Sequence, residues 1–104
     1  MASDKDYLEF VLEQLSSLDE ISSRYMMGEY IIYYRGKIIG GIYDNRFLIK
    51  PTKSAERLIS DVHYAIPYKG AKEMIEVEDI ENREFICNLI NEMYDELPEP
   101  KKKK

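Results

Sequence analysis

The segment from Met26 to Thr52, MMGEYIIYYRGKIIGGIYDNRFLIKPT, packs three apolar, aromatic and β-branched runs between two very short polar breaks, Arg35-Gly36 and Asp44-Asn45. Breaks this short leave no room for a crossover helix, so neighbouring runs must fold back on one another. The segment therefore predicts a three-stranded antiparallel meander.

Two-residue loops at these breaks would pair Tyr34 with Lys37 and Tyr43 with Arg46. Cross-strand partners share a face, and faces alternate along each strand. One face then holds Ile31, Tyr33, Ile38, Gly40, Ile42, Phe47 and Ile49. It carries no charge, so it is expected to lie under the helices as the core. The opposite face holds Tyr30, Ile32, Tyr34, Lys37, Ile39, Gly41, Tyr43, Arg46, Leu48 and Lys50. Tyrosine and apolar side chains rimmed by basic ones mark protein contacts, so Tyr30, Ile32, Tyr34, Ile39, Tyr43, Arg46 and Leu48 form the candidate interaction face. A half-wet sheet face with scattered apolar residues would read the same way. The division depends on register: a bulge at Gly36 would mix the two faces. Gly40-Gly41 reads as a bulge, a close backbone approach or a relief of crowding.

Around the meander, Leu8, Val11, Leu12, Leu15 and Leu18 recur at helical spacing, with Ser3-Asp4-Lys5-Asp6 supplying N-cap oxygens and early acids. This predicts a helix over about 4–17. Ile21–Met27 reads as a first strand and Gly28 as the turn into the meander. Thr52 caps a short helix carrying Ala55, Leu58 and Ile59, residues 61–71 form a loop, and Lys72–Val77 adds a strand. A last helix covers about 80–96, with an apolar stripe of Phe85, Ile86, Leu89, Ile90, Met93 and Leu97, stopped by Pro98 and Pro100. The order α-β-β-β-β-α-β-α predicts a two-layer α+β fold, an antiparallel sheet of about five strands with helices on one face. One domain over 1–98, followed by a disordered Pro/Lys tail over 99–104, accounts for the whole chain.

A chain of 104 residues suffices for one modest core. No apolar run reaches the roughly 20 residues of a membrane helix, and the acidic start differs from a secretion signal. With a single cysteine, Cys87, a disulfide framework is impossible, and a cytoplasmic location is expected. The net charge is −5, but Lys101–Lys104 contribute +4, so residues 1–100 carry 11 basic against 20 acidic groups, or −9. Such a body repels phosphate backbones, which disfavours direct DNA binding by the folded part.

Motifs for chemistry are missing. His63 and Cys87 are far apart and make neither a zinc set nor a clear nucleophile–base pair, and Cys87 reads as a packed residue. Glu76, Glu78, Asp79 and Glu81 precede the last helix, where acids favour the positive end of its dipole. The glycines fit no phosphate-cradling pattern. Met26-Met27 reads first as core filling, with a flexible contact surface as the alternative. No catalytic residue, cofactor or metal is expected, and the protein is not expected to be an enzyme.

Arg24-Tyr25-Met26-Met27-Gly28-Glu29-Tyr30, Tyr33-Tyr34-Arg35-Gly36-Lys37, Gly40-Gly41-Ile42-Tyr43-Asp44-Asn45-Arg46 and Lys50-Pro51-Thr52 together resemble the N-terminal domain of the TfoX/Sxy family. Pro67-Tyr68-x-Gly70 and the final helix with Phe85 fit small, stand-alone members. The resemblance implies a secretion-chaperone-like α+β fold and a link to regulators of natural DNA uptake, co-activators that work beside the cyclic-AMP receptor protein. The helical C-terminal domain of the full-length regulators has no counterpart here, and the resemblance supplies no catalytic residues. Three readings stand open. The first is a cytoplasmic, regulatory protein-binding module, with a homodimer through the free face as one form of contact. The second is a small-ligand protein or enzyme using Glu29, Tyr68 or His63 beside the 61–71 loop. The third is weak nucleic-acid binding through the lysine tail.

Overall fold

The computed structural model describes residues 4–98, so the tail over 99–104 and Ser3 lie outside the described residues. Helix α1 spans Lys5–Gln14, and strands β1 (Ile21–Met26), β2 (Glu29–Tyr34), β3 (Lys37–Ile42) and β4 (Phe47–Ile49) follow. Next come α2 (Lys53–Leu58), β5 (Tyr64–Ala65), β6 (Met74–Glu76) and α3 (Arg83–Tyr94). The strands form one antiparallel sheet in the order β1-β2-β3-β4-β6-β5. This is the expected α+β fold, with a sixth strand: β5 lies inside the stretch read as loop and pairs with β6.

Three two-residue turns build the meander. Met27-Gly28, Arg35-Gly36 and Asp44-Asn45 all have positive φ at both positions, the type I′ geometry whose twist matches the flanking strands. Tyr34 pairs with Lys37, as expected. Tyr43 and Arg46 exchange both backbone hydrogen bonds, at 2.9 and 3.0 Å. Helix ends follow the side chains: Thr52 Oγ1 accepts from the Ala55 N–H, and Asn82 Oδ1 accepts from the Phe85 N–H. Asp4 is the N-cap of α1 without a side-chain cap bond; instead its N–H donates to Asn45 Oδ1, tying α1 to the β3–β4 turn.

One apolar cluster joins Leu8, Val11 and Leu15 from the α1 region, Ala55 from α2 and Ile86, Leu89, Ile90 and Met93 from α3 with the sheet residues Ile32, Tyr34, Ile39, Ile42, Phe47, Ile49 and Ile75. The expected division of the sheet is therefore corrected. Ile32, Tyr34 and Ile39, placed on the free face by pairing from the turns alone, are buried under the helices, and Tyr30 packs against the same core. Ile31, Tyr33 and Ile38, expected in the core, lie on the other side. The cause is a register shift. Tyr33 pairs with Ile38 but Ile32 pairs with Gly40, so Ile39 is an extra residue, a β-bulge. One inserted residue reverses the alternation, which is why Ile42, Phe47 and Ile49 still reach the core as expected. The bulge sits beside the glycine pair. A Cβ on Gly40 would lie 2.1 Å from the Leu48 carbonyl oxygen and 2.7 Å from the Ile49 Cα, so that strand approach requires glycine.

Candidate outer-face contact surface

Away from the helices, the sheet presents a second surface assembled from both halves of the sequence pattern. Met26 pairs with Glu29, Arg24 with Ile31, Ser22 with Tyr33, and Tyr33 with Ile38. These residues share the outer side, which continues through Gly41, Tyr43 and Leu48. Tyr43 lies over Gly41: a Cβ there would come within 2.8 Å of the Tyr43 ring and 2.5 Å of the Tyr30 carbonyl oxygen. The chain after β5 returns along this side. Arg46 Nη2 donates to the Ile66 carbonyl at 3.5 Å, and the Tyr43 and Tyr68 rings are 6.2 Å apart. Leu48 is fully buried yet lies outside the main core cluster, consistent with its pairing to Gly41 and Glu76 on the outer side.

Met26, Met27, Glu29, Ile31, Tyr43 and Tyr68 line an open cleft of about 450 Å³. Its rim is apolar and uncovered, with Met27 94% exposed and Tyr68 62%, and Ile38 on the same side of the sheet is 37% exposed. Met26 and Met27, read first as core filling, are thus surface residues. The polar groups inside are committed to structure. Glu29 Oε1 accepts from the Asp44 N–H at 3.3 Å, and burial pushes the Tyr43 phenol above its ordinary pKa, with Tyr68, Glu29 and Tyr33 adding to the shift. The cleft therefore presents phenol rings and thioethers around the Glu29 side chain.

Of the seven candidate face residues, Tyr43, Arg46 and Leu48 lie on the outer side, whereas Tyr30, Ile32, Tyr34 and Ile39 belong to the helix side. Tyr34 donates to Asn91 Oδ1 at 2.7 Å, an anchor to α3 and not a free phenol. Met26-Met27 entered only as the alternative contact surface and Tyr68 only in the small-ligand reading; the contributors that sequence reasoning missed are Ile31 and Ile38, assigned to the core. The signal that could have found them is the glycine pair, read as a bulge and carried through the alternation.

Glu29 and Tyr68 meet in one cleft, but His63 does not join them. His63 Nε2 lies 3.1 Å from Asp61 Oδ2, a contact that raises the imidazole pKa, with Glu78 adding to it. Cys87 Sγ lies 3.1 Å from Ser17 Oγ and donates to the Gln14 carbonyl, so cysteine and histidine each have other partners. A second, acidic cleft of about 240 Å³ lies between the α2–β5 connection and the β6–α3 connection, lined by Asp61, Glu76, Glu78 and Asp79 beside Leu58 and Phe85. Among the described residues no group of three or more His, Cys, Asp and Glu has the placement to hold a metal ion. No described helix is long and apolar enough to cross a membrane.

The sequence matches the TfoX N-terminal domain over residues 13–88, a span that contains the whole meander, the outer cleft and the first half of α3. It is also 32% identical over 105 residues to an uncharacterised 12.7 kDa protein in the trpE 5′ region of Spirochaeta aurantia, a match covering 100% of this chain and 91% of that protein. No solved structure matches the chain. With three quarters of its length inside the matched span, the chain belongs to the TfoX N-terminal domain family.

Proposed function

We propose that this protein is a small cytoplasmic regulatory module of the TfoX/Sxy type that works by binding another protein through the outer face of its sheet, without catalysis. The observation that carries the reading is the uncovered apolar rim, Met26, Met27 and Tyr68, around a cleft that Tyr43 and Ile31 also line. Methionine and tyrosine suit a protein contact: thioethers adapt to a partner's shape, and phenols bury large area at low entropic cost. These side chains gather in one exposed apolar patch, as contact surfaces do, whereas the core is already closed on the other side of the sheet. The partner this surface fits is an apolar protein segment, because the acidic body disfavours phosphate backbones.

Affinity capture from the native host tests the reading. Wild-type protein should retain a partner that M27D and Y68A variants lose, with thermal unfolding of both variants unchanged. A partner set identical for wild type and variants would overturn it. The small-ligand reading draws on the meeting of Glu29 and Tyr68, but that cleft is open and its carboxylate is bound to the Asp44 N–H.

A further inference from the structure

We propose that β1 pairs with β1 of a second copy across a twofold axis at Ser23, joining two six-stranded sheets into one. Strand β1 is an edge strand six residues long, exposed from Ser22 to Met26 and without proline or bulge, so it carries none of the devices that protect an edge apart from Arg24. The other edge, β5, has only two residues. Which backbone groups of β1 are free follows from its pairing with β2. The Arg35 N–H donates to the Glu20 carbonyl at 3.0 Å, and Met26 and Glu29 flank the two-residue turn. Bonded pairs alternate along an antiparallel ladder, so Ser22, Arg24 and Met26 bond inward. The N–H and C=O groups of Ile21, Ser23 and Tyr25 therefore point out from the edge.

A second copy satisfies all of them in one register. Partners in an antiparallel pair share a face, so a twofold axis perpendicular to the sheet must pass through a residue pair of the same kind, at Ser23 or Arg24. Centred on Ser23, the pairs Ser23–Ser23 and the two Ile21–Tyr25 pairs use every outward group of the strand, and each Arg24 faces a Ser22 hydroxyl. Centred on Arg24, two guanidinium groups face each other at the closest kind of strand pair, and Ile21 is carried beyond β1 of the other copy. The strand is self-complementary in the first register and self-repelling in the second. The joined sheet would place two Met26–Tyr68 clefts on the same outer surface.

Sedimentation of the full chain, with S23P as the probe, tests this pairing. Proline at 23 removes an outward N–H and no bond to β2, as an edge position allows. The expected result is a wild-type dimer and an S23P monomer with an unchanged unfolding midpoint, whereas S22P, which removes an inward bond, lowers the midpoint. A wild-type monomer at its highest soluble concentration would overturn the proposal. So would an S23P dimer. A second variant, S22C/R24C, keeps the test decisive if S23P fails to fold. Positions 22 and 24 of opposite copies are non-bonded partners in the Ser23 register, so mild oxidation should give a covalent dimer that wild type, with Cys87 alone, does not form. No covalent dimer from a folded S22C/R24C protein would exclude the register.

Discussion

Lys37 Nζ donates to the Tyr94 carbonyl at 3.0 Å while lying 4.1 Å from the centre of the Tyr94 ring. A lysine only 5% exposed thus closes the C-terminal end of α3, where the last carbonyls of a helix lack intrahelical partners and the dipole favours a cation. The ring adds a cation–π contact, and Tyr34 fixes the same helix one turn earlier through Asn91. The β2–β3 hairpin is in this way clasped to α3 by two polar side chains that sequence patterning had assigned to the free face of the sheet.

Replacing Lys37 should therefore be costly for an apparent surface lysine. K37A removes a charge-assisted hydrogen bond and leaves the part-buried Tyr94 carbonyl with the Leu97 N–H as its remaining donor, a loss of about 1.5–3 kcal/mol. A fall in melting temperature of several degrees, with K37R recovering part of it, is the expected calorimetric result. A K37A protein that melts with wild type would show that solvent replaces the bond at no cost.

The bulge makes adjacent residues opposite in kind. Ile39 is fully buried, whereas Ile38 is on the outer side and exposed. I39A should lose about 2–5 kcal/mol through transfer and cavity terms, and I38A less than about 1 kcal/mol. Denaturant titrations of the two variants check this. Equal losses would mean that the phase of β3 is not the one set by the bulge.

Most of the architecture was legible from local chemistry. Positive-φ turns need residues such as Gly, Asn and Asp, and Arg35-Gly36 and Asp44-Asn45 supply them, so the hairpins and their pairing could be read directly. Helical stripes and the cap at Thr52 are local in the same sense. The identity of the two faces was not local. It hinged on one extra residue at Ile39 and on a lysine whose charge is met by a helix end 57 positions away, and periodicity carries no information about either. The outer cleft was misread for the same reason, since Met26, Met27 and Tyr68 come together only when the chain after β5 returns across the sheet.

Gly40 should tolerate no side chain. An added Cβ would meet backbone on β4, the Leu48 oxygen and the Ile49 Cα, and backbone cannot rotate away as a flexible side chain can. G40A is expected to shift β3 from β4 and lower stability by a few kcal/mol, as overpacking does. Gly70 is the control. Its φ of +88° strains alanine, but nothing lies within 4 Å, so G70A should cost only about 1 kcal/mol. Chemical denaturation of both proteins should separate them clearly, and equal effects would contradict the close approach.

Glu96 links α2 to the end of α3, and its link is pH-dependent. Its carboxylate accepts from the Ser54 N–H at 3.0 Å and from the Ser54 hydroxyl, and these bonds, the hydroxyl first, hold its pKa below the ordinary 4.5. A depressed folded-state pKa means that the unfolded chain binds the proton more readily. The stabilisation is therefore present in full above the ordinary carboxylate range and is lost as pH falls through the lower folded value. Because Glu96 is exposed, solvent screening keeps the contribution small. The expected signature is a difference in melting temperature between wild type and E96Q that is seen at neutral pH and shrinks as the carboxylate is protonated on acidification. A difference that grows on acidification would have the wrong sign and would remove Glu96 from the contacts that hold α2 to α3.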